Sequence, residues 1–455
     1  MLVLLFLIDG RTNIAGDRRK INELLVVVRF HWERPFDHSY RHKNVGTDGN
    51  PFHNSKTHHH RIVGVVECPT SSWSWHHFLS AANSRCKWKI KTVLWIDAKN
   101  TIDVKRLLPS KTVVFRLSSI GDIVLASPLL RVLRASAGPK ARIDFVVKKE
   151  FADLVKFSHH LSIVHELDDS RGFPALQELK ETLRAERYDL VVDLHDNLRT
   201  MYLRNFCDTK EVVTVDKRLY ERWQLVHLKR NVYGDCVPVA DRYIETLREF
   251  GITNDGKGLE LFIPDEIQFS ISGKMAKLRL NEFEKVIGIC PGAKHYTKRW
   301  QKEKFADVCI RIAKEYHAKI LVFGGEQDKD DCKAIVSLIN RNAFENAAAD
   351  FSGEFSLLEV AAAMEFCDVI VTNDTGLMHI ACARQRKVVA VFGSTVKEFG
   401  FAPYGTESVV IENNALSCRP CSHIGRAECP KGHFKCMNDI AADEVWRAVT
   451  RFIEK

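Results

Sequence analysis

No window of the sequence approaches about eighteen uninterrupted apolar residues, which excludes an ordinary transmembrane helix. MLVLLFLI at 1–8 is apolar but ends at Asp9 and has no cationic stretch before it, so it reads neither as a span nor as an export signal. No GxGxxG follows any predicted strand, and no GxxxxGK[ST] occurs, which removes the dinucleotide fingerprint and phosphoryl transfer from a triphosphate. A basic footprint is also missing from the body of the chain. The net charge is +9, but residues 1–110 hold 17 Lys+Arg against 9 Asp+Glu, a net of +8, and the other 345 residues are left with +1. That distribution argues against nucleic acid as a partner.

The first hundred residues are compositionally apart. They carry nine of the nineteen His, five of the eight Trp and the run KTHHHR at 56–61, which without spaced partners reads as a solvated loop rather than a metal site. No coherent alternation of elements emerges before TVLWIDA at 92–98. The expectation is a poorly ordered extension over 1–100. Most of the thirteen Cys (Cys290, Cys309, Cys367 and Cys382 among them) sit in apolar contexts and read as small core residues in a reducing, cytoplasmic compartment.

From residue 111 the pattern changes to strands and helices in alternation, which means parallel sheets covered by helices on both faces. KTVVFRL predicts a strand, the turn Ser118-Ser119-Ile120-Gly121-Asp122 follows, and Ile123, Leu125, Leu129, Leu130 and Leu133 mark an amphipathic helix that Pro128 either kinks or delays. Further strands are expected at 142–147, 162–167, 190–193 and 211–217, with helices over 176–188 and 237–251. The strand at 190–193 empties into His195, Asp196, Asn197, Arg199 and Arg204. Residues 252–266, rich in Gly, Asn, Asp and Pro, have no helical period and begin an interdomain linker placed at 252–284. A second series starts at 285 and runs to a closing helix near 441–453. The fold class expected is α/β with two Rossmann-like domains facing across a cleft, 101–251 and 285–455.

Polar residues gather at the carboxyl ends of strands, where open parallel sheets bind ligands. In the second domain these are Lys298 and Arg299, then Gly324–Glu326, then Asn373-Asp374-Thr375-Gly376 opening a helix that carries His379 on the face of Thr375. Lysines and free helix-end N–H groups suit a diphosphate, and a carboxylate such as Glu326 suits ribose hydroxyls. In the first domain Asp122 stands at a helix mouth, where it is either an N-cap or a general base for an acceptor hydroxyl. A nucleotide-diphosphate donor on one side and an acceptor on the other is the layout of a sugar transfer.

The segments FRLSSIGDIVLASPLLRVLR, ICPGAKHYTKRWQKEKFADV, FGGEQDKDD, SGEFSLLEVAAAMEFCDVIVTNDTGLMHIA and CRPCSHIGRAECPKGHFKCM together resemble the lipopolysaccharide heptosyltransferase family, glycosyltransferase family 9. The resemblance covers residues 111–455 in order and does not extend to 1–100. It implies a GT-B fold and inverting, metal-independent transfer of a heptose from an ADP-sugar donor to a glycolipid acceptor of the Kdo–lipid A type. Transient contact with the cytoplasmic face of the inner membrane would follow. By position, Asp122 matches the family's base and Lys298 the lysine that stabilises the leaving diphosphate. Glu326 matches the ribose contact, while Asp374, Thr375, Gly376 and His379 match the motif that holds diphosphate and sugar. Arg199 falls where the acceptor's anionic groups would lie. Gln301 stands where many members have Pro, and Ala293-Lys294 where some have hydroxyl residues, so the donor's identity is less fixed than the reaction.

Cys418, Cys421, Cys429 and Cys436 are spaced C-x2-C-x7-C-x6-C, with His423 and His433 between them. The first pair has zinc-ligand spacing and the second is wider than a standard zinc ribbon, so a structural metal and a reduced, packed loop both stand; no catalytic metal or other cofactor is expected. Two alternatives to heptosyl transfer also stand: another sugar nucleotide or glycan acceptor on the same fold, and a nucleotide-sugar-binding protein without transfer.

Overall fold

The computed structural model describes residues 108–205 and 207–455 and, before them, five strands: β1 (Val3–Phe6), β2 (Val26–Arg29), β3 (Arg61–Val66), β4 (Thr92–Ile96) and β5 (Ile102–Arg106). These five pair antiparallel in chain order and belong to a unit of their own. β1, β2 and β3 lie where the sequence shows no alternation, because each is a nearly continuous apolar run. Apart from these strands, the expected poorly ordered extension over 1–100, including the His58–His60 loop, lies outside the described residues.

The second unit, Pro109–Arg248 with Ile252–Lys455, contains two wholly parallel sheets. The first is built from β6 (Lys111–Phe115), β7 (Arg142–Lys148), β8 (Ile163–Leu167), β9 (Leu190–Asp193) and β10 (Glu211–Thr214), in the order β10-β9-β6-β7-β8. The second uses β11 (Lys285–Cys290), β12 (Ala318–Val322), β13 (Ala348–Asp350), β14 (Val369–Asn373), β15 (Lys387–Phe392) and β16 (Ser408–Glu412), in the order β13-β12-β11-β14-β15-β16. Helices cover both faces, so the central strands are apolar throughout: all of β14 and all but the first residue of β6 and β11 are buried.

The strand order reverses between β6 and β9 in one sheet and between β11 and β14 in the other. At such a switch point the two connecting helices leave on opposite faces and open a crevice above the strand ends. The registers Phe115↔Asp193 and Cys290↔Thr372 place the loops after these strands directly side by side.

The helix predicted after β6 is two helices, Ile120–Val124 and Ser127–Ala137, with Pro128 at the second position of the latter, where its missing N–H has no consequence. The linker placed at 252–284 is ordered beyond its irregular first stretch. It contains a helix, Asp265–Ala276, started by Pro264 and opened by Asp265 and Glu266, and only Ile271 and Met275 of it are buried. Two inward positions four apart leave too narrow a stripe for periodicity to reveal. The closing helix, Ala442–Ile453, buries Val445, Val449, Phe452 and Ile453 against the core of the second sheet.

Candidate active site

The strand β6 ends at Phe115, and the chain passes through Arg116 and the two serines into the helix Ile120–Val124. Asp122 sits in the first turn of that helix and folds back on its start: its Oδ2 accepts from the Ser119 N–H at 3.2 Å and from the Ser119 hydroxyl at 2.9 Å. The N-cap is Ser119 rather than Asp122, which as the third helical residue closes a capping box back onto it, and this fixes the carboxylate rather than occupying it fully. The other oxygen meets the Arg116 guanidinium at 2.5 Å and lies 3.4 Å from the Tyr243 hydroxyl. Burial alone would push the carboxyl's pKa up, but the Arg116 charge and the Ser119 hydrogen bonds outweigh it, and the net shift is downward. Asp122 is therefore a carboxylate at neutral pH.

His195, at the neighbouring strand end, shares this pocket. Burial first, then the Arg116 charge, lowers its pKa to about 4, so its ring is neutral, and its Nδ1 is buried without a partner. Arg116 also donates to the Leu194 carbonyl at 2.5 Å, tying the β6 and β9 ends together. Further along the same edge, Asp169 receives both Lys148, at 2.7 Å, and Arg199, at 2.9 Å.

On the second sheet, the loop after β14 turns at Asp374 and starts the helix Gly376–Ala383. Asp374 is buried, with its Oδ2 2.7 Å from the Lys298 ammonium and 2.6 Å from the Thr395 hydroxyl, which donates to it. Asn373 is buried beside it and bridges the two loops: its amide donates to the Pro291 carbonyl at 2.7 Å and its side-chain oxygen accepts from the Trp300 N–H at 3.1 Å. Lys298 is thereby held over the mouth of the helix. Thr375 Oγ1 and His379 Nδ1 are buried there without partners, so the helix mouth keeps spare polar capacity beside its free N–H groups.

The two sheets meet at this point. The helix Gly376–Ala383 packs on the helix Ile120–Val124. The approach is close enough that a Cβ on Gly376 would lie 2.7 Å from Ile120 Cβ, and one on Gly121 would lie 2.6 Å from the His379 ring. Only glycine fits at either position. Burial lowers the His379 pKa to about 4, against the opposing pull of Asp374 and Asp122.

The predicted residues thus divide into two groups. Asp122, Lys298, Asp374, Thr375, Gly376 and His379 converge. Asp374 does so as the partner of Lys298 rather than as a free carboxylate. Glu326 stands after β12, one strand beyond β11, exposed and ion-paired to Lys329 at 2.7 Å. Arg199 lies at the far edge of the first sheet on Asp169. Arg116, Tyr243 and Thr395 are the additions. Arg116 stands within the FRLSSIGD segment, but an arginine ending a strand carries no signal of its own, and Tyr243 reads as one more apolar position of a helix.

The four cysteines surround one cavity of about 240 Å³, also lined by His433 and Lys229. Cys418 Sγ lies 3.8 Å from His433 Nε2, while Cys436 is turned into the core beside Met437 and Phe434. Among the described residues no three His, Cys, Asp or Glu side chains assemble into a metal-binding group.

Two parallel sheets facing at their switch points, with a carboxylate on one and a lysine beside an uncapped helix mouth on the other, are the framework of a GT-B glycosyltransferase. The sequence profile of glycosyltransferase family 9 (heptosyltransferase) matches residues 176–431, and the chain belongs to that family. It is similar to the lipooligosaccharide heptosyltransferase 2 of Campylobacter jejuni, with 26% identity over 330 residues, covering 72% of this chain and 93% of that protein. Among solved structures it resembles the family 9 glycosyltransferase of Veillonella parvula (TM-score 0.62, 23% identity, 77% of this chain and 99% of that one). It also resembles the Escherichia coli ADP-heptose lipopolysaccharide heptosyltransferase II (TM-score 0.58, 21% identity, 76% and 98%).

Proposed function

We propose that this glycosyltransferase moves a heptose from ADP-heptose to the inner core of a lipopolysaccharide, by direct displacement with inversion and without a metal ion. The observation that carries the reading is the meeting of Asp122 with the Lys298–Asp374 pair and the mouth of the helix Gly376–Ala383. The names of the relatives, which are heptosyltransferases of lipopolysaccharide or lipooligosaccharide, supply the sugar and the acceptor class.

The acceptor hydroxyl oxygen forms a bond to the anomeric carbon of the donor, and the bond from that carbon to the diphosphate oxygen breaks. The acceptor's proton passes to an Asp122 oxygen. The charge left on the ADP is met by Lys298 and by the N–H groups and the Thr375 hydroxyl at the helix mouth, which do not need to reorganise as it develops. Asp374 orients Lys298, and the neutral His379 ring, pressed on Gly121, faces both the base and the donor cradle. Glu326 contacts the nucleoside ribose, and Arg199 with Lys148 attracts the anionic acceptor sugars. The enzyme works at the cytoplasmic face of the inner membrane, where such an acceptor is presented.

The test is a transfer assay on the full chain with ADP-heptose, UDP- and GDP-sugars and a Kdo–lipid A acceptor, in the presence of a chelator. Heptose transfer that persists with chelator and disappears in Asp122→Ala is the expected result. Transfer from a UDP- or GDP-sugar instead would overturn the donor, and ADP-heptose binding without transfer to any glycan would leave a binding protein.

A further inference from the structure

Between β10 and the helix Val239–Glu245 the chain forms a short helix, Leu219–Trp223, continues one turn through Gln224–Leu228, and returns along Lys229–Tyr233. Three residues anchor this segment. Leu225 and Tyr233 are buried in a cluster with Val396 and Phe399 of the second sheet's side, and Lys229 donates to the Pro420 carbonyl at 2.6 Å. The rest of its apolar content faces outward: Leu219, Tyr220, Trp223 and Leu228 are 56%, 66%, 51% and 46% exposed. Isolated exposed apolar residues are ordinary on a soluble protein, but four within ten residues, two of them Tyr and Trp, form a patch.

The charge around the patch is as unusual as its exposure. Residues 217–232 contain five Lys+Arg and one Glu, a net of +4, in a body whose 345 residues total +1. The patch also borders the acceptor side of the site. Lys217, two residues before Leu219, places its ammonium on the Asp196 carbonyl, next to His195. Leu198, two residues beyond Asp196, is 83% exposed.

Aromatic rings with one polar edge and basic side chains around them match the interfacial zone of an anionic bilayer: the rings lie at headgroup depth and the cations meet the lipid phosphates. The segment is far too short to span, and being anchored at Leu225 and Tyr233 it needs no folding on contact. We propose that the basic aromatic segment Lys217–Val232 is the surface by which the protein rests on an anionic phospholipid membrane. This deepens the reading above, since a lipid-borne acceptor would then present its sugars to Asp122 while its chains stay in the bilayer.

The experiment is co-sedimentation of the full chain with vesicles of phosphatidylcholine alone and of phosphatidylcholine with one third phosphatidylglycerol. Two surface variants accompany it, Leu219→Ser/Trp223→Ser and Arg230→Glu. Binding to the anionic vesicles only, weakened about tenfold or more in each variant and by added salt, is expected. Transfer to a water-soluble, lipid-free acceptor should be unchanged in both variants, while transfer to vesicle-borne acceptor falls. Equal binding to neutral vesicles, no vesicle binding, or binding unchanged in both variants would overturn the proposal; the last would assign contact to the basic first 110 residues. Vesicle binding is read independently of transfer, so an error in the proposed reaction would show only in the assay.

Discussion

At the scale of single residues, the site is governed by how Asp122 is held. Its carboxylate takes donors from Ser119, Arg116 and Tyr243, so it stays ionised, and as the base proposed above it would act by placement more than by proton affinity. Arg116 contributes most among the attractive interactions that lower its pKa. Arg116→Gln is therefore expected to raise that pKa and to move the acid limb of the kcat/KM profile to higher pH. A limb that stays in place would show that another group titrates. Lys298→Ala should lower kcat by about 10²- to 10³-fold, measured in single turnover, by removing charge stabilisation of the departing diphosphate. Asp374→Asn tests the pair from its other side. It leaves a poorly solvated ammonium without its partner, and a loss of about 3 kcal/mol in denaturant unfolding is expected. The segments Ser118–Asp122 and Asn373–His379 made Asp122 and Asp374 legible in the sequence, whereas Arg116 and Tyr243 carried no such signal. The engagement of Asp374 by Lys298 was not legible, because an ion pair between residues 76 positions apart depends on the register of β11 against β14.

At the scale of elements, the decisive contact is between the helices Ile120–Val124 and Gly376–Ala383. Their separation is set by two glycines, and a methyl group on either would force them apart. Gly376→Ala should cost about 1–3 kcal/mol of stability and reduce turnover together with it, whereas overpacking at a site remote from the cleft would reduce stability alone. Thermal unfolding and kcat measured on the same preparations distinguish these outcomes. The elements themselves were largely readable: buried parallel strands are continuous apolar runs, and long helices such as Ala442–Ile453 carry a full stripe. What escaped, the linker helix Asp265–Ala276 and the half-exposed β16, shares one property. Each buries too few side chains for the pattern to rise above composition.

At the scale of the whole molecule, burial of titratable groups between the sheets makes stability depend on pH. His379 is neutral in the folded protein down to about 4, whereas in the unfolded chain it takes up a proton near 6.5. Between those values the unfolded state binds more protons, so stability falls as pH falls, with a slope of up to about 1.4 kcal/mol per pH unit from this residue. Thermal melts of His379→Leu against the parent chain should show a flatter decline over that window.

The seating of the His379 ring on Gly121 also has a temporal consequence. The contact joins the Asp122 helix of one half to the Asp374–His379 turn of the other, so in the reaction proposed above the arrangement that makes the site competent would also enclose the spent nucleotide and the product. If each turnover ends by undoing that contact, the frequency of the separation, more than bond-making, sets the steady-state rate. The turnover number of such an enzyme falls in proportion as solvent viscosity rises, while its single-turnover chemistry is unchanged.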